Sequence, residues 1–66
     1  MDHIACTQCL DAAQRCLQAG QRETGLAYYL AAEVSLQRVA DPIQYLMLTL
    51  RADVLVRRHL LPEWNT

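Results

Sequence analysis

Apolar positions in the first third of the chain recur at helical spacing. At about 100° per residue, Ala5, Cys6, Cys9, Leu10, Ala13, Cys16 and Leu17 gather on one arc. His3, Thr7, Asp11, Gln14, Arg15 and Gln18 fill the opposite side, which predicts an amphipathic helix over roughly residues 3–19 that Gly20 ends in a left-handed cap. The second segment, from about Glu23 to Ala40, carries two apolar arcs: Leu26, Ala27, Leu30 and Val34 on one, and Tyr28, Tyr29, Ala32, Leu36 and Val39 on the other. The stretch from Gly20 to Gly25 and the pair Asp41-Pro42 punctuate the chain. Asp41 suits an N-cap and Pro42 the first helical position, so a third helix starts there and runs to about Leu61, where Pro62 stops it.

The third helix is the most informative segment. Ile43, Leu46, Met47, Leu50, Val54 and Leu61 occupy one face, while Tyr45, Leu48, Ala52, Leu55, Val56 and Leu60 occupy a second. No stretch alternates β-branched residues as a strand does. The reading is one all-α domain over 1–66, a helical hairpin plus a long C-terminal helix. A helix apolar on nearly all sides needs neighbours on both, and two short helices cover one. The remaining face is on the order of 300 Å², the size at which apolar patches mark interaction sites. A hairpin wrapped around both sides of the third helix is the alternative. Tyr45, Leu48, Ala52, Leu55 and Val56, with Tyr28 and Leu36 of the second helix, are the expected partner-binding residues.

Composition sharpens this picture. With 66 residues and 53% apolar content, the chain has room for one core that contributes only a few kcal/mol, so a disulfide, a metal or a partner is expected to support it. Six basic and seven acidic residues leave a net charge of −1, which excludes a charge-driven nucleic-acid or membrane binder. All six cations are arginine. The start, Met1-Asp2-His3-Ile4, lacks a basic region followed by an apolar run, so no signal peptide and a cytoplasmic location are expected.

Candidate chemistry is sparse. His3, Cys6, Cys9 and Cys16 are competent metal ligands, and Cys6-x-x-Cys9 has zinc-like spacing. On a continuous helix, however, Cys9 and Cys16 stand about 10 Å apart and His3 about 20 Å from Cys16, too far for one ion. Redox use of Cys6-Thr7-Gln8-Cys9 would need a strand–helix context that the chain lacks. A cysteine-based metal or redox protein is thus the alternative from another class. His59 follows Arg57-Arg58 at a helix end, where cations complement the last carbonyls. Asp11, Glu23, Glu33 and Asp53 are dispersed, so neither catalysis nor a cofactor is expected. Three helices outline a helix-turn-helix module, but the last carries leucines where base-reading polar side chains belong.

Two resemblances bear on function. Cys9, Ala12, Ala13 and Cys16, followed by Gly25-x3-Tyr29, resemble the register of a tetratricopeptide unit, with Gly20 at the interhelical turn and Ala32 at the next small position. That similarity implies a stand-alone peptide-binding adaptor. Asp41-Pro42-Ile43-Gln44-Tyr45, opening a long apolar helix that contains Arg51-Ala52 and Leu55, resembles the C-terminal helix of the small co-chaperones for bacterial type III secretion needle subunits, as does the total length. The resemblance implies a non-catalytic chaperone subunit that pairs with a larger helical-repeat chaperone and helps keep a needle subunit soluble. Gln44 and Tyr45 carry over as family-like positions. Without its partner, such a chain is expected to form homo-oligomers through the same stripe.

Overall fold

The computed structural model describes residues 2–60. It contains α1 (Asp2–Gln18), α2 (Arg22–Leu36) and α3 (Pro42–Leu55), and α3 continues into one π-helical turn at Val56–Leu60. Among the described residues there is no strand, and the fold is the three-helix, all-α arrangement that the apolar periodicity predicts. Leu61 and the Pro62 stop lie outside the described residues.

Each connection follows from a few residues. Gly20 adopts φ +81°, a conformation that side chains with a Cβ rarely take. Its N–H donates to the Leu17 carbonyl at 3.2 Å and that of Gln21 to Cys16 at 2.8 Å, closing the paired bonds of a Schellman cap. α2 begins one residue before Glu23 and ends at Leu36, four residues earlier than its apolar pattern suggests. Further on, Pro42 holds Asp41 in an extended conformation, φ −74° and ψ 118°, which keeps α2 from running on into α3. The carbonyls of Ser35 and Leu36 accept from the N–H groups of Arg38 and Val39, both at 3.1 Å, and Val39 folds back against the core. The Asp41 carboxylate then accepts from the N–H groups of Ile43 at 2.8 Å and Gln44 at 3.3 Å, the cap expected of this pair.

All three helices touch one another, and the most extensive packing is between α1 and α2. Cys6, Leu10 and Ala13 of α1 meet Ala32 of α2 and Leu48, Ala52 and Leu55 of α3, while Cys9, Tyr29, Leu36 and Val39 close the edges. Small residues permit the close approach. Gly25, which the sequence suggests as punctuation, is buried inside α2. A Cβ built there would stand 2.7 Å from the Leu17 side chain and 3.3 Å from the Leu17 backbone nitrogen, so only glycine lets the hairpin close this tightly. Arg51 of α3 reaches across α1, pairing with Asp11 and donating to Gln14 Oε1 at 3.4 Å. The Arg22 guanidinium donates to the Leu60 carbonyl at 3.3 Å, tying the π-helical turn to the start of α2.

Candidate functional site

Over residues 2–60, more large apolar side chains face outward than are enclosed. Among the described residues the core contains eight, of which only Leu10, Leu17, Leu48 and Leu55 are large, whereas eleven large apolar or aromatic side chains are exposed. Most of the exposed ones form two stripes. On α2, Leu26, Leu30 and Val34 recur every four residues, facing away from Gly25 and Ala32. On α3, Ile43, Leu46, Met47, Leu50 and Val54 line the side opposite Leu48, Ala52 and Leu55. The α2 stripe borders an open hollow lined by Arg22, Glu23, Leu26 and Leu60, which gives it a charged rim.

The two apolar faces of α3 therefore exist, but the one expected to stay exposed is the buried one, and the other faces solvent. Leu48 and Leu55 are 6% and 5% exposed and Ala52 is equally enclosed; they are core residues, not contact residues. Leu36 is half-buried against the same cluster, and Val56 is half-buried as well. Of the expected partner-binding residues, Tyr28 and Tyr45 are exposed, at the margins of the packed faces. The residues assigned inward, Ile43, Leu46, Met47, Leu50 and Val54, face solvent, with Met47 60% and Leu50 58% exposed. Ile4 on α1 is a further exposed apolar residue.

The reversal has a physical cause. The α1 face available for packing is lined by small side chains, Cys6 and Ala13 beside Leu10, and it accepts a helix whose own face includes a small residue. Ala52 supplies one between Leu48 and Leu55, whereas the Ile43–Val54 face has none. The pairing of Arg51 with Asp11 then secures that orientation from the flank. Both signals are present in the sequence, but they are properties of two helices taken together.

The titratable groups do not converge. Among the described residues, no three His, Cys, Asp or Glu side chains come together as a metal site would require. Cys6, Cys9 and Cys16 are free thiols on one unbroken helix. Burial pushes the Cys6 thiol up, with the neighbouring Cys9 adding to the shift and Arg51 partly opposing it. Tyr29 donates to Glu33 Oε1 at 2.8 Å, and burial together with that bond pushes its phenol up to about 12. Arg57 pairs with Asp53 at 3.0 Å along the exposed side of the last helix. No helix among the described residues is long and apolar enough to cross a membrane. Compared with known proteins, the chain matches no family model, no curated protein and no solved structure.

Proposed function

We propose that this chain is a non-catalytic, helical protein-binding subunit that works through the outward apolar stripes of α2 and α3. The excess of large apolar side chains at the surface over those in the core supports this reading. Leaving such faces in water costs about 25 cal/mol per Å², so a partner that covers them supplies what a 66-residue core lacks. In its specific form, following the resemblance carried by Asp41-Pro42-Ile43-Gln44-Tyr45, the chain is a cytoplasmic co-chaperone of a type III secretion needle subunit. It joins a larger helical-repeat chaperone and helps hold the needle subunit soluble.

Co-expression with the helical-repeat chaperone and needle subunit of the same genome tests this. The expected result is a complex that survives size-exclusion chromatography and is lost on Leu30→Asp. A needle subunit whose solubility is the same with and without this chain would overturn the secretion reading. Retention of every complex by the α2 and α3 stripe variants together would overturn the docking faces.

A further inference from the structure

The outward face of α3 differs from that of α2 in spacing and in its ends. Ile43, Met47, Leu50 and Val54 follow one another at intervals of four, three and four, the seam pattern by which two helices interlock side chains, and Leu46 widens the seam on one side. The N-terminal end of the helix carries exposed Asp41, and the C-terminal end carries exposed Arg57 and Arg58. Arg57 is held by Asp53, while Arg58 forms no ion pair among the described residues.

We infer that this face takes a second copy of the same chain, α3 against α3 and antiparallel. The inference rests on the reading that the outward stripes are docking surfaces, and it assigns the α3 stripe to self-association and leaves the α2 stripe for a different protein. In the antiparallel register, Met47 lies opposite the partner's Leu50 and Ile43 opposite the partner's Val54. That register also brings the Asp41 end of each helix to the Arg57-Arg58 end of the other. A parallel pair would instead set Asp41 beside Asp41 and arginine beside arginine, with the two helix dipoles aligned, so like charges oppose it at both ends. Five large side chains from each copy, with their polar margins, approach the total of about 1,000 Å² that marks a specific interface. The contact is isologous and closes on itself, so it ends at a dimer.

Sedimentation equilibrium of the full chain, with helicity followed by circular dichroism, tests this directly. The wild type is expected to be a dimer at micromolar concentration, and Leu50→Asp to weaken dimerisation by at least about tenfold while keeping its helical signal. A wild-type monomer, or a Leu50→Asp variant that dimerises as the wild type does, overturns the inference. Orientation has its own readout: Ile43→Cys and Val54→Cys variants are mixed, oxidised and mapped by mass spectrometry. A 43-to-54 disulfide is expected, and a 43-to-43 disulfide overturns the antiparallel pairing. A monomer that still forms the heterologous complex through α2 removes this inference alone, whereas a dimer that binds neither chaperone nor needle subunit removes the secretion reading alone.

Discussion

Gly25 carries more of the structure than its lack of a side chain suggests. In an isolated helix, replacing it with alanine would stabilise by about 1 kcal/mol. Here the new methyl would meet Leu17 at 2.7 Å, with the Leu17 backbone close behind. Overpacking of that kind costs about 1–3 kcal/mol, so Gly25→Ala is expected to lower stability in urea unfolding, and Gly25→Val to lower it further. A stabilised Gly25→Ala variant would show that the hairpin does not close on this residue. Tyr29 links stability to pH. The folded chain favours its neutral phenol, so the resulting stability is fully present below the ordinary value of 10 and is lost as pH rises toward about 12. In a spectrophotometric titration, the phenolate step near 12 should vanish in Tyr29→Phe and move down in Glu33→Gln. An unchanged titration in Glu33→Gln would contradict the role given to the hydrogen bond.

At the scale of helices, α3 shows what one sequence can and cannot reveal about packing. Its start was legible because Asp41 and Pro42 each act locally: the carboxylate satisfies two N–H groups and the ring lacks one that would need a partner. Asp41→Ala should accordingly cost about 1 kcal/mol in urea unfolding, and a cost near zero would contradict the cap. That α3 has two apolar faces was legible for the same local reason. Which face turns inward was not, because a helical wheel scores both as greasy, and the choice depends on Ala52 meeting the small face of α1 and on Arg51 reaching Asp11. The corrected assignment has sharp consequences. Leu48→Asp should abolish the helical signal, since a buried carboxylate without a partner costs several kcal/mol. Leu50→Asp should leave that signal in place and change only association. The opposite pattern by circular dichroism would restore Leu48 and Leu55 as contact residues.

Taken together, the described residues form a small, thin body with Cα extents of 34 × 22 × 14 Å, and their central cluster holds three large side chains, Leu10, Leu48 and Leu55, with Leu17 buried beside it. A core of that size leaves little margin against the entropy of ordering the chain. The surplus of apolar residues was legible from length and composition alone, because it depends on how much surface a chain can enclose and on no detail of packing. Its location on both α2 and α3 required the arrangement of the helices. The proposed α3 pairing would couple association to folding: covering the stripe would stabilise the folded chain, and by mass action the effect would grow with protein concentration. The urea midpoint of the wild-type chain, measured across a hundredfold range of protein concentration, tests that coupling most directly. The midpoint is expected to rise steadily with concentration and to lose that rise in Leu50→Asp. A wild-type midpoint that stays constant over the whole range would contradict the account, since the chain would then be complete as a monomer.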